Sequence, residues 1–362
     1  MSLKIVLVGC GKIADGHIEE IQKMGDRARV VAVCDLEILM AEQVALRYGI
    51  PTYYDSFERM LNQECPDVVH ITTPPQSHLA LAKMALDAGC HVYVEKPLTL
   101  NYIDSKALID YTIRADKKLT IGYSYLFDPP ALEMRELIQR GVLGDIVHVE
   151  SFFGYSLSGQ FGNAILGDGA HWVHRLPGKL FHNNIDHLLY KAVEFLDDDK
   201  PCIRAFGSVR REKRFGDSRD SMQDELRVIL QGQHVSVYGT FSSHIRPAGQ
   251  FVRVYGTKNT AHIDYLSRTV TLDAYPHLPS AIGRLLPAFQ QARQYWREGN
   301  KNLRRFLKYD FHFFSGLHRL ITLFYDSIEN NTPPPIPYRD ILRISSMMDE
   351  IFHQIDQEAP VL

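Results

Sequence analysis

The stretch KIVLVGCGKIA, Lys4 to Ala14, decides how the first third of this chain reads. Lys4 to Val8 is β-branched and almost wholly apolar, the texture of a strand buried on both faces of a parallel sheet. Gly9-Cys10-Gly11-Lys12-Ile13-Ala14 follows at once, and a helical segment runs on to about Met24. A lone GxGxxA pattern is weak, since glycine-rich turns are common, but a strand before it and a helix after it make it informative. In that setting Gly9 allows the tight turn and Gly11 lets the backbone approach a pyrophosphate. The helix N-terminus, with the outward N–H groups of Lys12 and Ile13, is where such an anion binds. Ala14 still permits close packing of helix on strand.

Working outward, Val30–Cys34 reads as a second strand ending on Asp35. A helix (about Leu39 to Tyr48), a short strand (Pro51 to Tyr53) and a helix near Ser56 to Leu61 follow. Val68–Thr72, Ser77–Ala88 and His91–Val94 continue as strand, helix and strand. This alternation indicates βαβ units and a doubly wound parallel sheet. Asp35 can accept hydrogen bonds from ribose hydroxyls and would repel a 2′-phosphate, and Leu36-Glu37 offers no Arg or Ser to hold one. NAD is therefore expected in preference to NADP. The plain alternative is a nucleotide-free α/β domain with an ordinary turn. His91 to Pro97 (HVYVEKP) places Glu95 and Lys96 at the C-terminal end of a buried strand, the edge where such sheets bind ligands. A lysine there sits near nicotinamide and substrate, and desolvation can bring its pKa toward a value useful for proton transfer. Taken alone, a surface lysine before a proline turn reads equally well.

At 362 residues the chain favours two domains, and 45% hydrophobic with 23% charged residues is the composition of a soluble globular protein. A formal net charge of -3 gives no global reason to expect nucleic acid or an anionic membrane as a partner. Cys10, Cys34, Cys65, Cys90 and Cys202 are scattered without a CxxC, which points to reduced thiols rather than disulfides or structural zinc. The N-terminus reads as a first strand and not a signal peptide, and no apolar run approaches the roughly 20 residues of a membrane span. A cytoplasmic location is expected.

VGCGKIA, CDLE, ITTPPQSH, AGCHVYVEKP, FDP and GVLGDI, in this order and spacing, resemble the glucose–fructose oxidoreductase / inositol dehydrogenase (Gfo/Idh/MocA) family. The resemblance is strong from Lys4 to about Ser151, moderate to about Tyr265, and recurs at Pro335 to Phe352. It implies that Lys96 works at the reacting carbon. It also implies that Thr73, Pro74, His78 and Glu95 join Gly9, Gly11, Lys12, Ile13, Asp35 and Lys96 around the cofactor. One departure lies in YSYLFDP, where many members carry an arginine before the phenylalanine and this chain has Leu126.

From Ile146 onward, VHVESFFGYS, CIRAFGSVR, DELRVILQG, HVSVYGTFSS, FVRVYGTKNTAHIDYL and TVTLDAY are strand-like runs with polar alternation, consistent with one large, mainly antiparallel, open-faced sheet. The expected division is residues 1–125 as the NAD-binding Rossmann domain and 126–362 as an α+β substrate and oligomerisation domain. A helical insertion is expected over about 278–330, and a C-terminal helix over about 338–357 that could pack back on the Rossmann domain. By resemblance the open sheet face makes a homodimer or homotetramer interface. A loop over Leu157–Pro177 leads to a helix starting in FHNNIDHLLY, Phe181 to Tyr190. There the family usually has Asp-x-x-x-His with an acid three residues on. Asn183 falls on the aspartate, His187 on the histidine and Tyr190 on the acid, so Asn183 and His187 are the pair expected to face the nicotinamide. His182 and Asp186, rotated about 100° from them on a helix, would flank the site or cap the helix. An amide cannot take a proton as a carboxylate can, so proton transfer falls to Lys96 and His187 while Asn183 orients the substrate. Tyr123, Trp172, Arg175 and Tyr190 are assigned as substrate contacts. A metal site built from His171, His174, His182, Asp186 and His187 was weighed, and none is expected.

Ile282 to Lys308 is amphipathic and locally basic, with Glu298 its only acid. The bland reading is a helical pair packing on the sheet or a subunit contact. The sharper one is a basic patch carried by Arg284, Arg293, Arg297, Arg304 and Arg305 for an anionic substrate or a membrane surface. The function expected is NAD-dependent hydride transfer at a hydroxyl or keto carbon of a sugar, cyclitol or nucleotide-sugar. The alternatives are an NAD-binding regulatory or scaffold protein that has drifted at the catalytic helix, or a redox-neutral cycle on tightly held NAD.

Overall fold

The computed structural model describes residues 2–157, 160–210, 222–274, 279–308, 311–312 and 314–357. Residue 278, the expected start of the insertion, Tyr275 of the last strand-like run, and Ser158 and Gly159 of the expected loop lie outside them.

The chain divides into two compact units, residues 1–124 with 316–346 and residues 125–315 with 347–362. In the first, β1 (Leu3–Val8), β2 (Ala28–Cys34), β3 (Thr52–Tyr54), β4 (Val68–Ile71), β5 (His91–Val94) and β6 (Leu119–Ile121) form one sheet in the order β3-β2-β1-β4-β5-β6. All neighbouring pairs are parallel. The strand order reverses between β1 and β4, and that switch point is where open α/β sheets take ligands. Ile5 to Val8 and Val68 to Ile71 are buried on both faces, as their unbroken apolar texture requires.

The turn after β1 is forced by sterics. Gly9 has φ +97°, and a Cβ there would lie 2.7 Å from the Thr73 backbone nitrogen and 2.8 Å from the Thr72 carbonyl carbon. Gly11 differs: its φ is -74° and a Cβ would meet nothing within 4 Å. The helix Lys12–Gln22 follows directly, burying Ala14, Ile18 and Ile21.

The second unit holds β7 (Ile146–Ser156), β8 (Cys202–Ser208), β9 (Glu225–Gln231), β10 (Ser236–Ser242), β11 (His244–Gly256), β12 (Thr260–Asp264) and β13 (Thr269–Asp273). They form one sheet in the order β13-β12-β11-β7-β10-β9-β8. The β7–β10 pair is parallel and the others antiparallel, so the sheet is mainly antiparallel. Strict alternation, as in β9 with Leu226, Val228 and Leu230 buried, packs one face and leaves Phe206, Ile229 and Tyr238 exposed on the other. The two helices read as one insertion part company. Ser280–Leu307 belongs to this unit, while Ser315–Glu329 falls almost wholly in the first, burying Leu320, Phe324 and Tyr325. The helix Tyr338–Gln357 contributes its first residues to one unit and its remainder to the other.

Replacing Gly9 by Ala should cost on the order of 3 kcal/mol in urea denaturation, because backbone rather than a movable side chain fills the space. Gly11→Ala, on the same turn, should stay within about 0.5 kcal/mol of wild type.

Candidate functional site

The glycine turn is tied to the end of β2. Asp35 Oδ2 accepts the Cys10 N–H at 2.7 Å and Oδ1 accepts the Glu37 N–H at 3.0 Å. A carboxylate has further lone pairs, so these bonds orient Asp35 without exhausting it. Gly11 caps the helix with no side chain, and Lys12 and Ile13 are its first residues, whose N–H groups lack intrahelical partners by geometry. Open space over Gly11, helix N–H groups and a fixed carboxylate together fit the pyrophosphate and ribose of a dinucleotide.

Thr73 and Pro74 follow β4, and the Thr73 hydroxyl bonds Ser77 Oγ at 2.7 Å. His78 was expected to line the cofactor, but it is fully buried. Its Nε2 lies 2.8 Å from Thr73 O and its Nδ1 2.9 Å from Pro97 O, so the ring packs between the turn after β4 and the turn after β5, and in its neutral form donates to one of the two carbonyls at a time. Burial pushes its pKa down, with the backbone acceptors and Glu95 opposing. His78 thus acts by holding Thr73 and Pro97 in place.

Glu95 and Lys96 leave the end of β5 with partial exposure. The Glu95 carboxylate sits where a side chain at Gly122 would be, 2.6 Å from its Cβ position. Behind it runs a buried line of side chains that sequence reasoning did not find. Glu95 Oε1 lies 2.9 Å from His17 Nε2, His17 Nδ1 2.8 Å from His70 Nδ1, and His70 Nε2 2.8 Å from the Tyr325 hydroxyl. Burial pushes Glu95 up, but the hydrogen bond from His17, the charges of His17 and Lys96, and the Lys96 N–H outweigh it and hold the carboxyl below its ordinary range. Burial, then the neighbouring His17, holds His70 well below its ordinary value. Burial raises the Tyr325 phenol well above its own. Two proton arrangements satisfy every contact: with both rings neutral, Tyr325 O–H donates to His70, His70 Nδ1–H to His17 and His17 Nε2–H to Glu95; with His17 charged, it donates to both Glu95 and His70, and His70 Nε2–H donates to Tyr325. The available signal was a histidine, His70, inside the apolar strand VVHI.

In the second unit FHNNIDHLLY is not one helix. Lys179–His182 and Asp186–Val193 are separate helices joined by a turn at Asn183 to Ile185. The turn bonds are tight: Ile185 N and Asn184 N both donate to Phe181 O, and His187 N to Asn184 O. Between Phe181 and Tyr190 only Asn183 and His187 retain partial exposure. His182 is buried and stacks on Phe352 with ring centroids 5.1 Å apart. Asp186 is buried too, and its Oδ1 accepts the His187 N–H at 2.8 Å in the first turn of the second helix, which matches the expected role at the helix start rather than the flanking one. Tyr190 was assigned as a substrate contact, yet it is fully buried, and its hydroxyl lies 2.8 Å from His187 Nδ1. Burial, then Tyr125 and Asp186, keeps that phenol protonated far above its ordinary value. Tyr190 therefore orients the imidazole through Nδ1. Tyr123 is also buried, at 2% exposure, which removes the reason to expect it at a substrate. Trp172 and Arg175 share one short turn; Arg175 is exposed and donates to Ala170 O at 3.0 Å. His174 Nε2 lies 2.8 Å from Ile165 O.

A second residue passed over by sequence reasoning is Lys191, one turn after His187. It is 1% exposed, with Nζ over the rings of Tyr265 (4.8 Å), Tyr125 (5.6 Å) and Phe153 (5.9 Å) and no hydrogen-bond partner among the described residues. The His187 ring packs on the same Tyr125 and Phe153. Burial lowers the Lys191 pKa to about 7, with Asp128 and Asp186 opposing. The unfolded chain, with lysine near 10.4, then binds a proton that the folded chain has released, so this group adds stability as pH rises from about 7. The buried thiols of Cys10, Cys34 and Cys90, raised by burial to about 12, 12 and 11, act oppositely above about 8.5. A comparison of wild type with Lys191→Met cancels them. The stability advantage of the variant should shrink by about 2 kcal/mol between pH 7 and 8.5 in urea denaturation. An advantage independent of pH would contradict the assignment.

Comparison with known proteins accords with this geometry. The family described as "Oxidoreductase family, NAD-binding Rossmann fold" matches residues 3–123. D-glucoside 3-dehydrogenase of Escherichia coli is 31% identical over 144 residues, which cover 40% of this chain and 41% of that protein. Inositol 2-dehydrogenase of Rhizobium meliloti is 28% identical over 232 residues, covering 64% of this chain and 66% of that one. The chain thus spans less than half the length of the first relative and about two thirds of the second. Among solved structures, the WlbA dehydrogenase from Bordetella pertussis in complex with NADH and UDP-GlcNAcA shares the fold over 98% of this chain and 96% of that one, at a TM-score of 0.76 and 18% identity. The fold, the glycine turn and the family match agree over one part of the chain: residues 3–123 carry the NAD-binding Rossmann fold of the GFO_IDH_MocA oxidoreductase family.

Proposed function

We propose that this chain is an NAD-dependent oxidoreductase acting at a hydroxyl or keto carbon of a sugar, cyclitol or nucleotide-sugar. The observation that carries the reading is the glycine turn with open space over Gly11, beside Asp35, on the same sheet edge as Lys96. Relatives named as glucoside and inositol dehydrogenases, and a fold neighbour held with a UDP-sugar acid, support the substrate class. Asp35 supports NAD over NADP, because a fixed carboxylate repels a 2′-phosphate. NAD, when bound, supplies the hydride acceptor or donor.

The chain's own residues then handle binding and protons. Gly9, Gly11, Lys12 and Ile13 bind pyrophosphate through backbone, Thr73 and Pro74 line the nicotinamide ribose, and Lys96 takes or gives the proton at the substrate oxygen. Glu95, held ionised by His17 from behind, keeps its negative charge beside Lys96. His187, oriented by Tyr190, assists as a second acid/base, and Asn183 orients the substrate through its amide. Trp172 and Arg175 serve as further substrate contacts. Phe206, Ile229 and Tyr238 on the open sheet face support a homodimer or homotetramer.

Lys96→Ala should keep NAD affinity near wild type while kcat/KM on an oxidised carbohydrate falls on the order of a thousandfold. Near-wild-type turnover would remove Lys96 from the mechanism. Tight NAD binding by wild type, with no reduced cofactor formed against sugars, cyclitols and nucleotide-sugars, would favour the non-catalytic reading.

A further inference from the structure

The helix Ser280–Leu307 is turned inside out. Its 28 residues span about 42 Å at 1.5 Å per residue, and a helix of that length normally buries its apolar stripe. Here the buried side is polar. Gln294 Oε1 accepts the Leu272 N–H at 2.7 Å and its Nε2 donates to Leu272 O at 2.8 Å. Gln291 donates to Asp273, Lys301 pairs with Glu133, and Glu298 is 1% exposed. The outward side carries Ile282, Leu285, Phe289, Trp296, Leu303 and Leu307, spaced 3, 4, 7, 7 and 4 residues apart, one stripe at helical period. All six are exposed, Phe289 by 66% and Trp296 by 77%. Beside that stripe, at spacings of 4, 7 and 4, runs a row of exposed cations: Arg293, Arg297, Arg304 and Lys308. Arg297 has a 3.4 Å contact to Glu298, and the other three have no ion pair among the described residues. The helix's only acid, Glu298, faces inward.

We propose that Ser280–Leu307 lies flat on an anionic bilayer surface, with its aromatic and aliphatic stripe in the acyl boundary and its arginine row on lipid headgroups. Trp and Phe on one face with Arg alongside is the composition of an interfacial helix, and Trp favours that depth. Charge decides the occupant. A second copy of this helix would offer an equal apolar stripe but another row of cations and no exposed acid. Anionic headgroups give every cation a partner. Among the described residues no helix is long and apolar enough to cross a membrane, so the contact is peripheral. The inference stands apart from the proposed activity, and its test reads no turnover.

The full chain is sedimented with phosphatidylcholine vesicles, with and without phosphatidylserine, and its mass in solution is measured without lipid. Binding should require phosphatidylserine and weaken with salt. Arg293→Gln/Arg297→Gln/Arg304→Gln should lower the partition coefficient roughly a hundredfold, and Phe289→Ser/Trp296→Ser by a similar factor, while both keep the wild-type circular dichroism. The proposal is overturned if wild type ignores phosphatidylserine, or if both variants bind as wild type does. It is equally overturned if Phe289→Ser/Trp296→Ser halves the mass in solution, which would assign the stripe to a second copy.

Discussion

A single line of buried hydrogen bonds, Tyr325 to His70 to His17 to Glu95, holds the nucleotide unit's working edge together. It starts on the helix Ser315–Glu329, passes through β4 and the helix after the glycine turn, and ends on the carboxylate beside Lys96. Each member is buried or nearly so, and removing one would strand a donor or acceptor in the interior at a cost of about 1–3 kcal/mol. The line also explains why Gly122 has no side chain: the Glu95 carboxylate occupies that space. Together with the Asp35 bond to the Cys10 N–H and the packing of His78, it fixes the three turns at one edge of the sheet. In the function proposed above, preorganisation of this kind positions Lys96 before any ligand arrives.

The second unit shows the same bracing at His187, and two features that run against it. Tyr190 and Asp186 are spent on His187, the one bracing its ring and the other its backbone, so the partly exposed imidazole is fixed from two sides. Lys191 is the first, a buried amine over three aromatic faces with no hydrogen bond among the described residues. Such a group costs stability while charged, and proteins keep that cost where a site uses it. The helix Ser280–Leu307 is the second, with polar residues packed and aromatic residues in solvent.

Much of this was legible beforehand, and the reasons differ by element. The parallel sheet was readable because its strands are short, unbroken apolar runs separated by helices, and the glycine turn because backbone sterics leave few alternatives. Asn183 and His187 were picked out by position, and both keep exposure where their neighbours lose it. The continuous helix through them was not right, because four-residue periodicity does not show where tight turn bonds interrupt a helix. Tyr190 and Tyr123 were misread for one reason: a tyrosine's type does not say whether its hydroxyl meets a ligand or another side chain. The His17–His70 line left one trace, a histidine inside the apolar strand VVHI, and its partners stayed hidden because they lie 53 and 255 residues apart. Nor could periodicity say which face of Ser280–Leu307 turns inward, because Gln294, Gln291 and Lys301 find partners on β13 and at Glu133.

The central claim is that the glycine turn and Asp35 form a dinucleotide site selective for NAD. Isothermal titration of the intact chain with NAD and with NADP tests it most directly. The account predicts one NAD per chain and binding to NADP weaker by at least about tenfold, the effect of roughly 1.4 kcal/mol of repulsion at Asp35. Equal or tighter binding of NADP would contradict the role of Asp35, and binding of neither would contradict the site.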